Sequence, residues 1–104
     1  MSVANVETQI EFNEEGFLVD SSQWSTELAE TIAAEAGIGP LTEKHWQVIQ
    51  FCRTDAAAQG EPPGLRRISK LSGVSMKELY SLFPKGPGKL AAKVSGLAKP
   101  KGCI

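Results

Sequence analysis

Apolar and polar positions change their period several times along this chain, and each change marks an element. Residues 9–19, QIEFNEEGFLV, alternate as two short strands would around a turn at Asn13–Gly16, where Gly16 is free to take positive φ. SSQWSTELAETIAAEAG shifts to helical spacing, with Leu28 and Ile32 one turn apart, Glu27 and Glu30 suited to the dipole near its start, and Gly37 as its stop. A second helix is predicted after Pro40: Thr42 is an N-cap, and Leu41 can meet Trp46 as a hydrophobic staple. Trp46, Ile49 and Cys52 or Arg53 follow at helical spacing, and the segment fades through Ala56–Ala58 to Gly60 before the break at EPPG. Leu65, Ile68 and Leu71 mark a third, short helix. After a turn at Gly73, Ser75 and Glu78 form a capping box for a fourth, with Leu79, Leu82 and Phe83 inward and Pro84 as its end. A last helix begins at Pro87 and stops at Gly96, with Lys89 and Lys93 on one face and Leu90 and Val94 on another.

These elements predict a mainly α fold: a small orthogonal helical domain with a helix-turn-helix, an N-terminal β-hairpin and a mobile C-terminal arm. At 104 residues the chain fits one domain over 1–104, with about 1–8 as a flexible N-terminus and about 97–104 as the arm. There is no apolar run of membrane-span length and no basic-then-apolar leader, so a cytoplasmic location without membrane contact is expected.

Charge divides the chain. Residues 1–64 hold eleven acids against Lys44 and Arg53, a net of −9; residues 65–104 hold nine bases against Glu78, a net of +8. Such a division predicts either an anionic partner for the C-terminal part or two complementary faces that pack together.

The helix-turn-helix, with Arg66, Arg67 and Lys77 nearby, invites a DNA-binding regulator as an alternative function. SMKELYSLF offers few long polar side chains for base edges, however, and no Asn or Gln follows Leu65, which speaks against direct DNA binding. His45 is the one histidine; without Cys or carboxylates at ligand spacing it is expected to be a surface or half-buried side chain. No Ser/His/Asp set, carboxylate pair or phosphate-binding glycine loop is present, so conventional acid–base catalysis has little support; no metal or organic cofactor is expected.

The two cysteines differ. Cys52, in IQFCRTD, reads as a small core residue. Cys103 closes the chain in GLAKPKGCI, flanked by Gly102 and Ile104 with Lys99 and Lys101 close by. Nearby positive charge favours the thiolate, while the terminal carboxylate opposes it. A thiol on a basic arm is suited to carrying a group between two active sites, and persulfide sulfur is one such cargo because thiolate attack on sulfur is facile.

The ordered series LFPKGP, a Lys-bearing helix, GL-x-KP and a penultimate cysteine resembles the C-terminal signature of the DsrC/TusE sulfur-carrier family. The resemblance runs upstream through PPGLRRISK, LTEKHWQVIQFCR and SSQW. It implies that Cys103 accepts persulfide sulfur from an upstream sulfurtransferase complex of the DsrEFH/TusBCD type. Cys103 would then pass it on, as a carrier that is not a self-sufficient enzyme. One branch of the family serves tRNA 2-thiouridine synthesis through a tRNA-thiolating enzyme. Another works with dissimilatory sulfite reductase and carries a second arm cysteine eleven residues earlier, where this chain has Ala92. The resemblance therefore implies the single-cysteine relay branch, with a partner or regulator of sulfite reduction or sulfur oxidation as the alternative. It makes Arg66 a candidate for stabilising the docked arm or its thiolate and Lys70, Lys85 and Lys89 candidate partner contacts. Trp24, His45, Trp46, Tyr80 and Phe83 match structural positions. The chain departs from the family pattern in a shorter segment between Lys70 and Tyr80 and in Ala98, where a proline is usual; Ala98 leaves the arm freer than Pro would.

Overall fold

The computed structural model describes residues 10–100. The expected N-terminal segment at about 1–8, and Cys103 with the rest of 101–104, lie outside the described residues. Among the described residues there are five α-helices: α1 (Thr26–Glu35), α2 (Glu43–Gln59), α3 (Leu65–Leu71), α4 (Met76–Leu82) and α5 (Pro87–Val94), with a 3-10 turn at Ser21–Gln23 before them. The fold is mainly helical, as the periodicity predicts.

Local chemistry sets most of the boundaries. Asn13 accepts through its side chain from the amides of Glu15 and Phe17, at 2.9 and 3.0 Å, and so closes the predicted turn. Gly16 there has φ +88°. The two expected strands reduce to one antiparallel bridge, Phe12 to Leu18, with Phe17 fully buried. The Thr42 and Ser75 capping boxes open α2 and α4, and Pro87 begins α5 with its missing N–H in the first turn.

One boundary differs from expectation. SSQWSTELAETIAAEAG is not a single helix, because Asp20 caps the short Ser21–Gln23 turn and Ser25 then caps a new helix by accepting from the Leu28 amide at 3.1 Å. Trp24 between them is extended, which turns its ring away from the helix and toward α5.

Helix α5 is the centre of the core. Six of its eight residues are buried, and it packs on α1, α2 and α4. Gly88, Ala91 and Ala92 are among the six, and their small side chains allow neighbouring helices to approach closely. Ile49, Ile68, Leu79 and Phe83 fill the space around it. Leu71, which marks the third helix with Leu65 and Ile68, is 55 % exposed at the end of a helix only seven residues long.

His45 is also placed differently from the surface or half-buried position expected. It is 6 % exposed, edge-on to Phe83, and both ring nitrogens are engaged. Nδ1 accepts from the Thr42 amide at 3.0 Å, and Nε2 donates to the Leu82 carbonyl at 3.0 Å. A neutral ring with its proton on Nε2 satisfies both contacts and joins the start of α2 to the end of α4. Replacing His45 by Ala leaves the Leu82 carbonyl buried without a partner and should cost about 2 kcal/mol, read by denaturant unfolding.

Candidate functional site

The C-terminal segment leaves α5 through a built structure rather than a frayed end. Ser95 caps the helix, and Gly96 follows at φ +72°. The Gly96 amide donates to the Lys93 carbonyl at 3.1 Å and the Leu97 amide to the Ala92 carbonyl at 3.0 Å. This is a Schellman arrangement, which satisfies two of the carbonyls a helix end leaves open. Two others are taken by distant side chains. The Trp24 indole Nε1 donates to the Val94 carbonyl at 2.8 Å, and Arg53 Nη1 donates to the Ser95 carbonyl at 2.9 Å. The Arg53 guanidinium also lies 4.2 Å from the centroid of the Trp24 ring, a cation–π contact. Gly96 presses on the same ring: a Cβ there would sit 2.5 Å from the Trp24 Cδ1 atom.

Beyond this point Leu97 is 8 % exposed and Pro100 is buried, while Lys99 reaches the Glu15 carboxylate at 3.1 Å. A cleft of about 330 Å³ opens beside the departing chain. Leu18 of the hairpin, Arg53 and Ala57 of α2, and Pro62 line it together with Leu97 and Ala98. Its wall is mixed, with apolar side chains, the Arg53 cation and the acidic Glu61, and suits a peptide segment better than a small charged substrate.

Cys52 is 1 % exposed within the core, and burial pushes its thiol up to about 12, with the nearby Ser95 hydroxyl opposing only in part. A thiol so shifted carries almost no thiolate at neutral pH and is a packing group, as expected. Among the described residues no three His, Cys, Asp or Glu side chains gather in a way that could hold a metal ion. Nor is any helix there long and apolar enough to cross a membrane.

The basic candidates named from the sequence do not converge. Arg66 and Lys70 are exposed one turn apart on α3, Lys85 is exposed between α4 and α5, and Lys89 is half-buried in α5; none of the four lines the cleft. Arg66 makes no side-chain hydrogen bond or ion pair among the described residues. The neighbouring Arg67 does, gripping Asp55 of α2 through two bonds of 2.8 Å. That grip holds the Asp55 carboxyl below its ordinary value of 3.8. Together with Lys99–Glu15, it shows that the opposed charges of the two halves are in part spent within the molecule. Tyr80, grouped with the structural positions, is 50 % exposed.

Sequence reasoning gave Arg53 no contact beyond its own helix and gave Trp24 only a general structural role. A lone arginine in the apolar run IQFCR was a signal for the first. A tryptophan immediately before a serine N-cap was a signal for the second. Their meeting point at Val94–Gly96 had no local signature.

A family model described as "DsrC like protein" matches residues 5–104. The chain belongs to the DsrC-like family. It is 42 % identical over 103 residues to the protein named Sulfurtransferase TusE of Escherichia coli (strain K12), covering 92 % of this chain and 94 % of that one. It is 39 % identical over 94 residues to "Sulfite reductase, dissimilatory-type subunit gamma" of Nitratidesulfovibrio vulgaris, covering 90 % of each. Its fold matches the crystal structure titled dissimilatory sulfite reductase I (DsrI) with a TM-score of 0.82 at 40 % identity, over 91 % of both chains. The DsrC-like match runs to the last residue and so includes Cys103.

Two outcomes are expected from this geometry. In a Cys103→Ser variant, a thiol reagent at mildly alkaline pH should modify nothing in the folded protein and one residue, Cys52, after denaturation; mass spectrometry counts the adducts. The Arg67–Asp55 pair should stabilise fully above the unfolded-state carboxyl value of 3.8 and lose its effect as pH falls through the lower folded value. Arg67→Met should therefore lower the thermal midpoint at neutral pH and converge on the wild type in acid.

Proposed function

We propose that this protein is a sulfur carrier in which Cys103 accepts persulfide sulfur from a donor sulfurtransferase and delivers it to an acceptor enzyme. The observation that carries the proposal is the contrast between the chain's two cysteines: Cys52 is sealed in the core with its thiol held protonated, which leaves Cys103 as the sulfur available for exchange. Membership of the DsrC-like family and the name of the TusE relative support the same reading. In the transfer step, the Cys103 thiolate attacks the outer sulfur of the donor persulfide. A new S–S bond forms at Cys103 as the donor's S–S bond breaks, and the donor's inner sulfur leaves as its thiolate. No net oxidation occurs, and no further co-reactant is required.

The upstream partner in this proposal is a sulfurtransferase complex of the DsrEFH/TusBCD type, and the setting is the cytoplasm. The downstream partner is a tRNA-thiolating enzyme in a 2-thiouridine relay. Ala92 supports that branch, since it leaves Cys103 without a second arm thiol eleven residues earlier; its side chain is buried in α5. The similarity to the sulfite reductase gamma subunit favours a second reading, in which the acceptor is a dissimilatory sulfite reductase. Arg66, Lys70, Lys85 and Lys89 are proposed as surface contacts for these partners.

Intact-mass measurement after incubation with a cysteine-desulfurase persulfide source tests the carrier chemistry. The wild type and Cys52→Ser should each gain a sulfur (~32 Da), and Cys103→Ser should not. A wild type that stays unloaded, under conditions that load another DsrC-like protein, would remove the carrier role.

A further inference from the structure

We propose that Arg53 and Trp24 are positioning residues for the sulfur-carrying arm: together they fix the direction in which the chain leaves α5, and so the partner surface that Cys103 can meet. The proposal rests on the reading of Cys103 as the carrier.

Chain length makes direction matter. Six peptide steps separate Leu97 from Cys103, a reach of at most about 20–22 Å even fully extended. With so short a tether, a change in the angle at its root carries the sulfur into a different volume, and its effective concentration at a partner's site falls accordingly. A helix end left to itself frays. Here the Val94 and Ser95 carbonyls are held at 2.8 and 2.9 Å by donors 70 and 42 positions earlier in the chain. Both donors are themselves fixed by stacking on each other. Gly96 lies against the Trp24 ring at φ +72°, where any side chain would collide, so only glycine fits the turn out of the helix.

The choice of side chains fits this role. Arginine can stack its planar face on an indole while donating in that plane to a carbonyl; a lysine ammonium cannot do both. Arg53 also stands at the wall of the cleft beside Leu97 and Ala98, so the group that orients the root borders the path the arm takes. By contrast, Arg67 bonds to Asp55 and not to the Val94 or Ser95 carbonyl, which makes it a control for general stability.

The test uses the full-length protein in four forms: wild type, Arg53→Lys, Trp24→Phe and Arg67→Lys. Sulfur loading of Cys103 is followed with two donors, a persulfidated sulfurtransferase at varied concentration and glutathione persulfide. The small donor needs no docking geometry. The proposal expects Arg53→Lys and Trp24→Phe to load from the protein donor roughly five- to tenfold more slowly, the effect of losing one directional hydrogen bond. Their loading by glutathione persulfide should be unchanged, and a fluorophore on Cys103 should show lower anisotropy in both. Arg67→Lys should load normally from both donors even where its unfolding midpoint drops as far. Protein-donor rates that fall only in proportion to lost stability, or that match the wild type, would overturn the positioning role. A wild type that glutathione persulfide cannot load would instead overturn the carrier reading beneath it.

Discussion

Two carbonyl groups at the end of α5, those of Val94 and Ser95, have no partner that a helix can supply. Water would serve them if the helix ended at the surface, but Val94, Ser95 and Gly96 are buried. Their partners must therefore come from elsewhere in the fold, and Trp24 and Arg53 provide them. Much else follows from this requirement. Trp24 has to stand outside any helix to reach across, which is why the chain breaks between the Ser21–Gln23 turn and α1. Arg53 has to project from the face of α2 next to buried Cys52, and burial lowers its pKa from the ordinary arginine value. The small residues of α5 bring α1 and α2 close enough for both contacts to form.

The same packing separates the two sulfurs. Cys52 fills space beneath Ser95, one residue from the arginine that holds the arm root, and its thiol is kept protonated by burial. In the proposed transfer, exchange therefore falls to Cys103. In that proposal the domain's part is to orient the segment that leads to Cys103, with a cleft alongside it.

Much of this architecture could be read from the sequence because it is written in local chemistry. Thr42, the Ser75–Glu78 box, Pro87 and Gly96 each act within a turn of their own position, and the structure has all four where the sequence puts them. Cys52 was legible because its neighbours are apolar on a helical period. Failures occurred where a residue answers to something distant. His45 lacks any sequence signal that Leu82, 37 positions away, needs a donor. Arg66 and Arg67 are equivalent on paper, and only the placement of Asp55 on α2 decides which one is engaged. The arm clamp joins residues 24, 53 and 94–96, so no window of sequence contains it.

Loading of a thiol by itself would fit a reactive cysteine with no destination, so the decisive property of a carrier is that its cargo leaves. Cys103 charged with isotopically labelled sulfur should be mixed in a single turnover with a tRNA-thiolating enzyme, and separately with a dissimilatory sulfite reductase. The account predicts that label disappears from Cys103 at the rate it appears on one of the two acceptors, without added reductant. Label that stays on Cys103 with both enzymes, and is released only by reductant, would contradict it.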